Sequence, residues 1–321
     1  MNNQTTITKV LQGLVLVHLS FSVWSGKKKL RPEDLKGANL PPDKLASLGS
    51  KRIFAPDALK VFATLKRQAE RACEEVGVRF LGGYAIPEEK LTPLMEKMEQ
   101  IEQSFATAKA DFLSAYDDNL KDWLAEAGEW SEIVARAVEP ASRVAERLAC
   151  GFTAFKVEAP GEAAAATQPL ERQVGGLADQ LIHEIGALAK TTWEESYRGR
   201  TSVTRKALRP LKAILDKLSS LSFVGPDKIS GLVANVNAAL ATVPRSGPVT
   251  GATLMGLVGV LCELSDIAGF ITTEEREEML QPLPEPEVEL APAPQTITPP
   301  KTITKRPQPA KQVEAPAVWF W

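Results

Sequence analysis

The sequence predicts a mainly α protein: a small N-terminal α+β unit of two strands and helices, a long helical bundle or coiled-coil body, and a disordered Pro-rich C-terminal tail. Three observations lead there. Leu94, Met98, Ile101, Phe105, Ala108 and Phe112 step alternately by four and three, the seam of a helix that packs on a partner helix. Val15, Val17, Leu19, Phe21 and Val23 alternate with Leu16, His18, Ser20 and Ser22, as in a strand with one buried face. Ten of the 23 prolines fall between Pro282 and Pro316, a stretch without glycine and too poor in apolar residues to offset its ordering entropy.

Residues 1–86 form the α+β unit. After the first strand, Pro32-Glu33-Asp34 opens a short helix with acids at its positive end, and Pro41-Pro42 marks a turn. Pro56 starts a helix to about Val76, with Leu59, Phe62, Leu65 and Ala69 at helical spacing, and Val78 to Ala85 reads as a second strand kinked at Gly82-Gly83. Residues 87–157 hold a long helix and a return helix. Pro87-Glu88-Glu89 opens the first, whose seam shifts after Phe112 through Tyr116, Leu120 and Trp123, as a stutter would. The return helix, Trp130 to Phe155, should kink or split at Pro140. Residues 158–170 are small and of low complexity, a flexible loop or linker. Residues 171–280 form a helical domain through Leu177, Leu181, Ile185 and Leu188, then Leu208, Leu211, Leu215 and Leu218, with Thr272 and Glu275 at capping-box spacing near its end. Residues 281–321 are the tail.

The charge balance, 38 Lys plus Arg against 40 Asp plus Glu, gives no net attraction to nucleic acid or anionic membrane, so such a role needs a local patch. Three scattered cysteines, Cys73, Cys150 and Cys262, fit a reduced, cytoplasmic setting. The run Val10 to Trp24 is too short to span a bilayer, and Glu263 and Asp266 interrupt the apolar stretch Ala252 to Ile271, so no membrane role is expected.

Catalytic equipment is sparse, and the reading is of a non-enzyme without cofactor or metal. Gly247 to Thr253 has one residue too few between its glycines for a Walker loop and lacks its lysine. Asp179, His183 and Glu184 could put two ligands on one helical face, but no second cluster accompanies them. The basic run is more informative. Arg198, Arg200, Arg205, Lys206, Arg209, Lys212 and Lys217 face only Asp216 within their span and could neutralise several phosphates; the bland alternative is a solvated helix face.

The tail tip, Val318-Trp319-Phe320-Trp321, places two of the six tryptophans at the end of a segment unable to fold by itself. A tether of roughly 37 residues reaches on the order of 30 Å, and each large aromatic buries about 150 to 250 Å² on docking. That is the composition of a docking motif for a protein partner, or of a tip that packs on its own body.

The runs Trp24-Ser25-Gly26-Lys27-Lys28-Lys29-Leu30, Glu33-Asp34-Leu35, Leu40-Pro41-Pro42, Leu48-Gly49-Ser50-Lys51-Arg52 and Gly77 to Pro87 (GVRFLGGYAIP) resemble a bacterial family of unknown function numbered 3150. The resemblance extends to about residue 280. It implies no catalytic residues but a setting: plasmids, integrative elements and phages, often with a MoxR-type AAA ATPase encoded alongside. The function expected is a non-enzymatic adaptor or scaffold of a mobile element or phage, docked by its tail tip to a partner such as that ATPase. The alternative is a nucleic-acid-binding accessory using 198–217, and a homo-oligomer closed through the 94–112 seam is open to either.

Overall fold

The computed structural model describes residues 3–35, 47–158 and 164–281. Helix α1 (Asn3–Gln12) leads into β1 (Leu14–Ser22), followed by a short antiparallel ladder of β2 (Lys27–Lys29) and β3 (Ser50–Arg52) in which Lys27 faces Arg52 and Lys29 faces Ser50. Helix α2 (Lys60–Val76) precedes the hairpin of β4 (Val78–Phe80) and β5 (Gly83–Pro87). Helices α3 (Glu88–Ser114), α4 (Tyr116–Glu126), α5 (Ser131–Ala135) and α6 (Ala141–Glu146) then lead to β6 (Ala149–Phe155). The remainder is helical: α7 (Ala164–Gly175), α8 (Leu177–Ser196), α9 (Leu208–Ser220), α10 (Pro226–Ala241), α11 (Gly251–Ile267) and α12 (Thr273–Leu280), with β7 (Ser202–Val203) and β8 (Val249–Thr250) paired between them.

The main sheet is antiparallel, in the order β4-β5-β1-β6, and lies between two helical layers. From one face Leu14, Leu16, Val78, Phe80 and Ala85 enter an aliphatic core with Leu181, Ile185, Leu211, Ile214, Leu257 and Leu261 of α8, α9 and α11. From the other, Val17, Tyr84 and Ile86 meet Trp24, Phe54, Phe62, Phe105, Phe112 and Tyr116. The alternation expected of β1 therefore holds only along its second half. Leu14 to Val17 are buried on both faces because the helices of 171–280 cover the back, whereas His18, Ser20 and Ser22 are exposed opposite Leu19 and Phe21.

The long helix ends where the seam stutters: α3 stops at Ser114, Ala115 leaves helical geometry, and α4 restarts at Tyr116. Leu94, Met98, Ile101, Phe105 and Phe112 are all buried in the aromatic core of their own chain, against α2 and the sheet. At about 1.5 to 3 kcal/mol for each large apolar side chain removed from water, this row holds α3 in place, and the seam closes within one chain.

Three further expectations are corrected. Val78 to Ala85 is not one kinked strand but a hairpin whose two-residue turn, Leu81-Gly82, has positive φ at both positions (47° and 77°). Gly83 follows because the hairpin crowds β1: a Cβ there would lie 2.6 Å from the Val17 carbonyl oxygen. The return helix reaches only Glu146, and Ala149 to Phe155 instead pairs along β1 from Ser22 to Leu16. Helical spacing favoured Val144 and Leu148, but Gly151 and Thr153 are poor helix formers and β1 offers an open edge. The segment 158–170 contains the start of α7, so its second half is helix; 159–163 lie outside the described residues. Near the end, Thr272 and Glu275 cap α12 reciprocally, the Glu275 amide donating to the Thr272 hydroxyl at 3.2 Å and the Thr272 amide to the Glu275 carboxylate at 2.9 Å.

Candidate functional site

The basic run 198–217 is distributed by the fold among several tasks. Helix α8 ends at Tyr197, whose buried ring donates its hydroxyl to the Ala207 carbonyl at 2.9 Å and pins the turn between α8 and α9. Just beyond, the Arg198 guanidinium grips both oxygens of Glu278 at 2.8 Å and lies 5.1 Å from the Trp193 ring. Arg200 donates to the Glu195 carbonyl at 3.3 Å, and Arg205 to the carbonyls of Pro244 and Arg245. Lys217 is buried, its ammonium 2.9 Å from the Glu184 carboxylate and 2.7 Å from the Glu74 carbonyl. What remains is Lys206, Arg209 and Lys212. These three are exposed at steps of three on the outer side of the turn and first part of α9, with no ion pair to a described residue. Three cations in a row could meet about three phosphates, fewer than the sequence offered.

The Asp179, His183, Glu184 trio is dispersed. Asp179 pairs with Lys228, Glu184 with Lys217, and the His183 ring packs 4.5 Å from that of Phe270. Among the described residues no group of three or more His, Cys, Asp or Glu could hold a metal. Gly247 to Thr253 is the turn, the strand β8 and the first residues of α11, with Gly251 at φ 55° and Val249 buried against Val203. The thiols are not activated: burial pushes Cys73 up to about 12 and Cys150 up to about 11, and raises Cys262.

Two interior polar centres escaped the sequence reading. Glu139, buried between α5 and α6, accepts the Trp24 indole N–H at 3.1 Å and the Lys28 ammonium and forms an ion pair with the Arg147 guanidinium at 3.1 Å, while its backbone carbonyl accepts the Tyr116 hydroxyl at 2.6 Å. Burial pushes this carboxyl up, but Lys28, Arg147 and Trp24 together outweigh it and leave it below the usual range. Nothing in Val138-Glu139-Pro140 announced that role. Lys217 was more legible: it lies three residues after Ile214 and beside Leu218, on the apolar side of α9. A groove of about 420 Å³ is lined by Glu33, Leu35, Glu129, Trp130, Ile133 and Arg136, with Trp130 59% exposed. The aromatic tip Val318 to Trp321 lies outside the described residues.

These features define a mainly helical protein organised on a small antiparallel sheet, with polar centres that join its segments. No helix of the described residues is long and apolar enough to cross a membrane. The chain belongs to the family described as protein of unknown function (DUF3150), which it matches over residues 11–266. No curated protein and no solved structure matches it.

Proposed function

We propose that this protein is a non-enzymatic adaptor or scaffold of a mobile genetic element or phage, working with an AAA ATPase of the MoxR type through a docking motif at Val318, Trp319, Phe320 and Trp321. The observation behind the proposal is compositional: two of six tryptophans within three residues, beyond a segment of 35 residues that holds ten prolines. A tethered aromatic motif gains its affinity from local concentration as much as from contact area. The partnership with an ATPase follows from the family resemblance. Capture from the native host with the full chain, and with a version ending at Ala317, tests it. The expected result is an ATPase retained by the first and lost by the second; identical material on both would overturn the docking role.

A second reading, nucleic-acid binding, is favoured by the exposed row Lys206, Arg209 and Lys212. It predicts that Arg209→Glu with Lys212→Glu abolishes most binding to a DNA duplex and flattens its salt dependence by about two ions. Binding unchanged by that double reversal would remove it.

A further inference from the structure

The two edges of the main sheet are finished differently. At one end β4 is three residues long, Val78 and Phe80 are buried, α8 packs beside it, and the Arg79 amide donates to the Glu184 carboxylate at 3.3 Å. Short length, cover and a charged residue are the devices by which natural sheets prevent edge-to-edge pairing. At the other end β6 has none of them. Its seven residues, Ala-Cys-Gly-Phe-Thr-Ala-Phe, include no charge and no proline, and every one is exposed or half-buried, Phe155 by 44%. Among the described residues its strand hydrogen bonds go to β1 alone, so its outward N–H and C=O groups have no backbone partner among them. The sheet face beside it is bare as well: His18, Ser20 and Ser22 of β1, with Ala149, Thr153 and Phe155 of β6, lie exposed.

We propose that β6 is a dimerisation edge that pairs antiparallel with β6 of a second copy of this chain, the two-fold axis passing at Phe152 and the two sheets becoming one. An isologous pairing of this kind needs a strand that complements itself. In the register centred on Phe152 all seven residues overlap. On the bare face Ala149 then faces Phe155 and Gly151 faces Thr153, small side chains against larger ones, while on the α3 side Cys150 faces Ala154 and Phe152 meets its own copy. The flanking cations Arg147 and Lys156 fall opposite Val157 and Leu148, so no like charges meet across the strand pair. A charged strand from another protein would find no counter-charge on β6, whereas a second copy brings the same uncharged, mixed-size row. A Cβ on Gly151 would meet nothing within 4 Å, leaving room at the centre of the interface.

Two experiments on the full chain decide it. Sedimentation velocity over a concentration series should show a monomer–dimer equilibrium. The variant Gly151→Lys with Thr153→Lys, whose new ammonium groups would face each other twice across the axis, should raise the dissociation constant about tenfold or more while leaving the circular dichroism unchanged. Independently of how that variant folds, Gly151→Cys with Thr153→Cys should form an interchain disulfide on mild oxidation, and either single substitution should not. In the single variants the thiols sit on diagonal neighbours about 7 to 8 Å apart, beyond the Cα separation of about 4.4 to 6.8 Å that a disulfide accepts. A chain that stays monomeric at every concentration, a dimer unaffected by the paired lysines, or single variants that cross-link as well as the double would each overturn the proposal.

Discussion

The two helical layers either side of the sheet solve the same packing problem with different materials. Behind it, α8 to α11 contribute an aliphatic core of leucine, isoleucine and valine from regular helices. In front, rings from scattered segments meet: Phe54 stacks on Tyr116 at 5.0 Å, Phe62 lies 5.0 Å from Phe105, and Trp24 stands edge-on to Phe54 at 5.6 Å. Helices with a continuous apolar stripe need only approximate shape matching to bury it. The front is built partly from three-residue strands and five- and six-residue helices, which have little stripe to offer. There the geometry-dependent contacts of aromatic edges and the Glu139 hydrogen bonds hold the segments. The polar centres differ accordingly. In front a carboxylate gathers Trp24, Lys28 and Arg147; behind, the Lys217 cation ties α9 to Glu184 of α8 and to the Glu74 carbonyl of α2.

The comparison breaks most sharply in the cores. Phe112→Ala should cost about 3 to 5 kcal/mol and Leu211→Ala about 2 to 5, since both side chains are buried. Because β1 feeds both cores, either variant should still melt in one transition, with circular dichroism and tryptophan fluorescence coinciding. Two transitions would mean that front and back are separable units.

Lys217→Met comes next, at about 2 to 3 kcal/mol in urea unfolding, because it removes the counter-charge of the Glu184 carboxylate and the donor to a backbone carbonyl. Adding Glu184→Gln should recover part of the loss; a single variant as stable as the wild type would show that the pair's desolvation cancels its attraction.

Glu139→Gln should cost less, about 1 to 2 kcal/mol near neutral pH, since the amide keeps an acceptor and Lys28 and Arg147 can turn to water. Its signature is pH. The folded-state value of Glu139 lies below its ordinary 4.5, so the wild-type contribution is present above that pH and is lost as pH falls through the folded value. The gap between wild type and variant should therefore close on acidification, and a gap constant from pH 7 to pH 3 would assign the stabilisation to shape instead of charge.

The smallest effect concerns the hairpin that both cores share. Leu81 adopts φ 47° and is 47% exposed, a conformation that disfavours a bulky residue. Leu81→Asn should raise stability by about 0.5 to 1 kcal/mol, read as a higher urea midpoint; a lower midpoint would reveal a packing role for the leucine.

The sequence by itself determined the helical body, the α3 row from Leu94 to Phe112, the break after it, the first strand and the α12 cap, because these are written in residues close together along the chain. Periodicity reports which face a segment buries and capping residues report where it stops, and both act over a few residues. The membership of β6 in the sheet, the double burial of Leu14 to Val17, and the sharing out of Arg198, Arg205 and Lys217 were decided only by tertiary structure. Ala149 to Phe155 becomes a strand because β1 presents unpaired backbone groups more than a hundred residues away. Arg198 finds Glu278 for the same kind of reason. Backbone hydrogen bonds and ion pairs between distant segments are chosen by where the packed cores place them, and a local pattern of residue types holds no record of that placement.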